Sequence, residues 1–351
     1  MASRGKKPRS TRSNRFAKSE RDKDVAVRSE SSLNRISREL QQKCLDLFRD
    51  ATKPSAEDEP ILQEVKGHLY NRDFATTFGK EEYLRAYASR WSPSRALAYL
   101  QIFTSLDISA LRPSDEQQYG DDGSTLNVVC LGGGAGSELV ALAAWLRARR
   151  DAPSTKATEK LEVRLVDLAD WSYVVAALGD AITTPPELSK YASQAKKEAN
   201  TALLDASSID LRFEQADVLD LAGTSLPQIV ATADLVTFMF TLNELYSTSM
   251  PKTQKLLSNT LNNMQEGSHL LVVDSPGSYS TISINGAEKK YPMIWLLEYT
   301  LLGDPRSMER GDKWERIMSD DSRWFRMPDG LQYPIELENM RYQIHLYRKI
   351  R

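Results

Sequence analysis

LNVVCLGGGAGSELVALAAWL, residues 126–146, decides the fold. Residues 126–131 are a short apolar run with β-branched valines and read as a buried strand. Gly132, Gly133, Gly134 and Gly136 follow, with only Ala135 between them, and the alanine-rich stretch 137–149 reads as a helix. A strand that ends in glycines and opens a helix lets backbone come close to a ligand, and the helix start offers unpaired N–H groups. A dinucleotide fold prefers G-x-G-x-x-G with an acid about 20 residues further on. Counted from Gly132, the last glycine of that pattern falls on Ser137, and the chain has G-x-G-x-G at Gly132, Gly134 and Gly136 instead. The next strand-end acid, Asp167, lies more than thirty residues after Gly132. Both counts weigh against a nicotinamide cofactor.

Downstream the strand–helix rhythm continues. Residues 161–166 read as a second strand ending at Asp167, with a helix over 171–178 behind it. Residues 209–213 give a third strand followed by Asp217, 234–240 a fourth and 270–274 a fifth, with a helix around 252–264. The charged segment 185–200 reads as an inserted surface helix. Residues 342–347 alternate as a strand, without a convincing crossover helix before them. Strands alternating with helices imply an α/β fold whose mainly parallel sheet carries helices on both faces.

Upstream the pattern is helical. Leu33, Ile36, Leu40, Cys44 and Leu47 recur at helical spacing, which predicts a helix over 32–49. Pro54 stops it, and Ser55 caps a second helix reaching residue 69. Further helices are expected over 80–90 and 93–106, the latter capped by Ser92 with Pro93 at its first position. The polar, glycine-bearing stretch 107–125 reads as a linker. The resulting division is a basic tail over 1–24 without structure of its own, a helical extension over 25–125 and an α/β domain over 126–351.

At 351 residues, 41% hydrophobic and 27% charged, the composition is that of an ordinary globular protein. No stretch approaches the ~20 continuous apolar residues that span a bilayer, and the N-terminus lacks a secretory apolar region. Cys44 and Cys130 are the two cysteines, far apart, so neither a disulfide framework nor a metal site is expected, and a reducing compartment is. The net charge of −2 hides an asymmetry. Residues 1–24 carry nine Lys or Arg against three acids, which leaves 37 basic and 45 acidic residues in the body. Such an arm grips a phosphate backbone by displacing counterions, or is a solvated tail or a nuclear address.

The glycine turn after a strand, Asp167 ending the second strand and Asp217 after the third together resemble the successive signatures of class I methyltransferases. The resemblance implies a Rossmann-like domain with a mostly parallel seven-stranded sheet, and S-adenosyl-L-methionine (SAM) as cofactor. It implies that Gly132, Gly133, Gly134 and Gly136 lie against the amino-acid part of SAM. Asp167 would accept hydrogen bonds from both ribose hydroxyls, and Asp217 would meet the adenine amine. A carboxylate is a good paired acceptor for vicinal hydroxyls. A strand-end acid facing a ligand is not expected to support folding, and a side chain at Gly134 is expected to strike the cofactor or strain the backbone. Asp220 lies close to Asp217, and a solvated loop acid is an equal reading of Asp217. Cys130 stands where many members place an acid, with Glu138 as a substitute.

The fourth strand leads into Asn243-Glu244. The (Asp/Asn)-Pro-Pro-aromatic run of amide-type N-methyltransferases is absent. For an imide nitrogen acceptor, which must lose a proton, Glu244 is the expected base and Asn243 its polar neighbour; the alternative is that they cap the next turn. More narrowly, the chain resembles a fungal methyltransferase family that includes the large-subunit 25S rRNA uridine-N3 enzyme. The resembling segments are FGKEEYLRAYASRWSPSRALAYL (78–100), NVVCLGGGAGSELVALAAWL (127–146), LVDLADW (165–171) and DLVTFMFTLNELYS (234–247). This implies methylation of N3 of a uridine in 25S rRNA or a pre-ribosome, in the nucleus or nucleolus and also the cytoplasm, without membrane or metal. A protein methyltransferase, which suits an acidic body, and a non-catalytic SAM-binding assembly factor stay open. Trp91 and the nearby tyrosines either stack on a base or belong to the core.

Overall fold

The computed structural model describes residues 36–106, 108, 125–152, 160–198, 200–221, 225–277, 279–284, 287–304 and 313–351. The basic tail over 1–24 and nearly all of the 107–125 linker lie outside these residues. The first helix, α1 (Arg38–Thr52), is capped by the Ser37 hydroxyl, which accepts from the Leu40 N–H. Of the predicted stripe, Ile36, Leu40, Cys44 and Leu47 are buried, and Leu33 lies outside the described residues. A short 3₁₀ turn leads to α2 (Glu59–Tyr70) and to the single turn α3 (Phe74–Thr77).

The two helices expected over 80–106 are one, α4 (Glu81–Leu106), with Pro93 inside it. A proline lacks the N–H that would bond the carbonyl four residues earlier, here that of Ser89. The Tyr333 hydroxyl donates to the Ser89 carbonyl at 2.9 Å. A contact 244 residues away in sequence thus satisfies the group the proline leaves free, and the helix runs on.

The α/β part follows as β1 (Thr125–Leu131), α5 (Ser137–Arg150), β2 (Lys160–Asp167), α6 (Ser172–Thr183), α7 (Gln194–Glu198), β3 (Ile209–Gln215), α8 (Val218–Leu221), α9 (Leu226–Val230), β4 (Leu235–Met239), α10 (Leu242–Asn263) and β5 (His269–Asp274). A hairpin, β6 (Tyr279–Ile284) and β7 (Ala287–Pro292), precedes α11 (Met293–Leu302), β8 (Trp314–Phe325) and β9 (Met340–Lys349). Helix α10 breaks at Ser249, just before Pro251, so the helix expected over 252–264 is its second half. Of the surface helix expected over 185–200, only α7 is helical. The segment has no apolar stripe to bury, and helices this short draw their stability from packing.

The seven-stranded sheet has the order β3-β2-β1-β4-β5-β9-β8. The first five strands are parallel, and β9 lies antiparallel between β5 and β8. This is the doubly wound order with a reversed seventh strand. One face carries a core shared by α1, α4, α5 and α6, with Phe48, Leu97, Leu142, Trp145 and Leu178 in it. The other face packs α9, α10 and α11 through Ile229, Leu256 and Leu297. The helices that precede β1 therefore share one continuous core with the sheet. Among the described residues, no helix is long and apolar enough to cross a membrane.

Candidate functional site

In an open sheet of this order, ligands bind beyond the carboxyl ends of the strands, at the point where the order reverses. Here that point lies between β1 and β4, and a cleft opens there, lined by Gly132 after β1, Asp167 at the end of β2, Asp217 after β3, and Thr241 and Glu244 after β4. The cleft does not touch Gly133, Gly134, Gly136 or Asn243.

The glycines have separate reasons to be glycine. Gly132 and Gly136 have φ of 85° and 82°, the left-handed region that side chains avoid. A Cβ on Gly132 would stand 2.2 Å from Thr241 Oγ1, so the bare glycine lets the turn meet the end of β4 on the cleft floor. Gly134 differs from the expectation: its φ is not positive, and its added Cβ would stand 2.0 Å from Cδ1 of Trp171. A protein ring, rather than a ligand, fills that space. Helix α4 steadies the turn, since the Ser92 hydroxyl donates to the Ala135 carbonyl at 2.8 Å.

Asp167 does more than face the cleft. One carboxylate oxygen accepts from the Gly134 N–H at 3.0 Å and the other from the Ala169 N–H at 3.1 Å. The acid thus ties the glycine turn to β2, which revises the expectation that it supports no folding. Burial raises its pKa, while these N–H groups pull the other way. Asp217 accepts from the Leu219 N–H at 2.8 Å and lines the cleft. Its neighbour Asp220 points elsewhere, paired with Lys252 at 2.9 Å.

Asn243 and Glu244 part company. The Asn243 N–H donates to Asp274 at 3.0 Å, so an acid at the end of β5 caps α10, and the Asn243 side-chain oxygen is buried without a partner. Glu244 lines the cleft, and its pKa is pushed up to about 7, first by burial and then by the Asp274 charge, against the pull of Arg95 and Arg72. Glu138, in the first turn of α5, sits beneath the glycine turn: a Cβ on Gly133 would stand 3.3 Å from both of its oxygens. Burial raises its pKa to about 7 as well. It lies beside the buried thiol of Cys130, whose pKa burial pushes up too.

Arg95 is the site residue that the sequence reading missed. It lines the cleft, donates to the Tyr87 hydroxyl at 2.7 Å, and lies 5.6 Å from the Tyr87 ring centroid and 4.9 Å from that of Phe240. Burial disfavours its charge, but Tyr87, Tyr99 and Glu244 outweigh that and hold it cationic. Phe240 has φ of 60°, a strained conformation for an aromatic residue that costs roughly 1–3 kcal/mol and that clusters at functional sites. The available signal was a lone arginine inside the apolar run SRALAYL, residues 94–100. The aromatic residues divide. Tyr99 is buried in the core and also reaches the cleft, which Tyr87, Phe78 and Trp171 line with it, and Trp91 packs 4.9 Å from Tyr87. Arg85 and Arg90 are engaged internally, with Asp58 and Glu338.

Residues 48–348 match the model of a protein family described as "Putative SAM-dependent methyltransferase". The chain belongs to this family. The 25S rRNA (uridine(2843)-N(3))-methyltransferase of Saccharomyces cerevisiae is 34% identical over 334 residues, 88% of this chain and 85% of that one. Among solved structures, a SAM-dependent methyltransferase from Methanosarcina mazei gives a TM-score of 0.37 at 9% identity, covering 68% of this chain and 97% of that one. The N-methyltransferase NodS from Bradyrhizobium japonicum, solved with S-adenosyl-L-homocysteine, gives 0.35 at 11% identity, covering 76% and 96%.

The cofactor of this methyltransferase is SAM. The cleft suits it on chemical grounds. The Asp167 carboxylate, held by the Gly134, Ala169 and Leu168 N–H groups and the Trp171 side chain, lines the cleft as a paired acceptor for vicinal hydroxyls. Glu138 and Glu244 suit an ammonium and a sulfonium, and Gly132 leaves room where a side chain would close the floor. When bound, the cofactor supplies an electrophilic methyl group.

Proposed function

We propose that this methyltransferase methylates N3 of a uridine in large-subunit rRNA. The observation that carries the proposal is Glu244, a cleft carboxyl with a pKa of about 7 in the first turn after β4. An imide N–H is not nucleophilic until its proton leaves, and a half-buried carboxylate with a pKa near neutrality is a suitable acceptor for it. The identity to the yeast uridine-N3 enzyme over 88% of the chain supports the same reading. In it, Asp167 holds the ribose hydroxyls of the cofactor, Asp217 meets the adenine, and the turn from Gly132 to Gly136 shapes the floor. Glu244 takes the N3 proton, Asn243 fixes the start of α10 against Asp274, and alignment of acceptor and methyl group in the cleft does the rest.

The proposed location is the nucleus or nucleolus, with the cytoplasm as a further compartment, and the pre-ribosome is the proposed partner. The basic segment 1–24 is proposed to grip RNA, so its deletion should weaken RNA binding and flatten the salt dependence. Incubation with labelled cofactor and either purified rRNA or total protein tests the main reading. Label that enters RNA and is released as N3-methyluridine supports it. Label confined to protein, or cofactor binding with no transfer to any ribosomal RNA, refutes it.

A further inference from the structure

The acidity of the cleft raises a question of charge. Glu138, Asp167, Asp217 and Glu244 all line it, whereas Arg95 is the one Lys or Arg side chain that does so among the described residues. No carboxylate of the described residues lies within ion-pair distance of Arg95; it contacts one phenol and two ring faces. Arg95 is half-buried and feels the Glu244 charge only at a distance, so its guanidinium keeps donors that no carboxylate of the protein occupies. Tyr87 occupies one of its five donors, and the rings of Tyr87 and Phe240 pack near it, which leaves the other N–H groups for an incoming acceptor. Ser92, three residues earlier on α4, holds the helix to the glycine turn through Ala135, so the guanidinium keeps a fixed position relative to the cleft floor.

SAM carries two cationic groups and one anionic group, the carboxylate of its methionine moiety. The cationic groups suit the acids. A carboxylate entering among those acids would be repelled unless a cation received it.

We propose that Arg95 is the carboxylate receptor of the cofactor site, so that α4, a helix preceding the glycine-turn strand, completes the binding of SAM. Arg suits the task because its planar fork matches both oxygens of a carboxylate. The strained backbone of Phe240 then has a use, since it puts a ring where it supports the guanidinium. The inference rests on SAM as cofactor and is independent of the RNA acceptor.

Calorimetry on the full chain tests it with two ligands, S-adenosyl-L-homocysteine and its analogue lacking the carboxylate but keeping the amine. The unaltered protein should bind the complete ligand about 10- to 100-fold more tightly than the analogue. Arg95→Met should lose that factor on the complete ligand and almost nothing on the analogue, with Arg95→Lys in between. Equal affinity of the unaltered protein for both ligands would overturn the proposal, and this comparison needs no variant to fold. So would an Arg95→Met protein that is weakened equally on both ligands, or one that binds both normally and fails only in methyl transfer. In the last case the guanidinium faces the acceptor instead. Failure to methylate rRNA with these affinities as expected would count against the RNA reading alone.

Discussion

Replacing Glu244 with glutamine removes the proposed base while keeping its size and one acceptor oxygen. Burial and Asp274 move its pKa from 4.5 to about 7. A base must be ionised to work, so at pH 7 about half of the protein is competent, and one unit lower about a tenth. Turnover should therefore rise about tenfold per pH unit below neutrality and level off above it. A carboxyl of ordinary pKa would give a flat profile over the same range. Glu244→Gln should lower turnover at saturating cofactor by about 10²- to 10⁴-fold. Asp274→Asn should move the midpoint down, because it removes a charge that raises the Glu244 pKa. Stability provides a second readout. An acid whose pKa is raised in the folded state contributes stability below its unfolded value of 4.5, and that contribution is lost as pH rises through about 7. Glu244→Gln should therefore melt higher than the unaltered protein above neutrality and about the same under acid conditions. The assay is single-turnover methylation of an rRNA fragment at saturating cofactor, from about pH 5.5 to 8.5. A flat profile, or a glutamine variant that keeps its rate, refutes the assignment.

Three further perturbations follow from the same geometry. Asp167→Ala should weaken cofactor binding about 10- to 100-fold and also cost about 1–3 kcal/mol of stability, since the Gly134 and Ala169 N–H groups lose their acceptor; calorimetry and thermal melting together check both effects. Gly134→Ala drives a Cβ into Trp171 and should destabilise by about 1–3 kcal/mol; an unchanged melting temperature with weakened cofactor binding would mean that the clash is with the ligand. His345, buried with Ser319 and Gln343 against its ring nitrogens, has its pKa lowered by burial from 6.5 to about 4. It stays neutral in the fold, so stability is full above 6.5 and falls by up to about 3 kcal/mol as pH drops towards 4, a loss that His345→Gln should remove in acid melts.

The cofactor end of the site was legible because its signals are local. Strand, glycines and helix sit side by side around Gly132, and Asp167 and Asp217 mark strand ends by position alone. Arg95 was hidden because helical periodicity reads 93–106 as core, and its approach to Phe240 spans almost 150 residues of sequence. Pro93 reads as a helix start until Tyr333, far along the chain, is known to satisfy Ser89. Strand β8 escaped because two register shifts, at Arg316/Met318 and Asp320/Arg323, break the alternation that betrays a strand. Its polar stretch SDDS, 319–322, then looks like a turn. The division of labour between Asn243 and Glu244 depended on Asp274, which reaches them only through the pairing of β4 with β5.

The central claim, methyl transfer to a uridine N3 in large-subunit rRNA, is tested most directly by counting N3-methyluridine in that RNA by mass spectrometry after deletion of the gene. One modified site should be lost, restored by the unaltered gene and not by one encoding Glu244→Gln. An unchanged N3-methyluridine content in the deletion strain would contradict it.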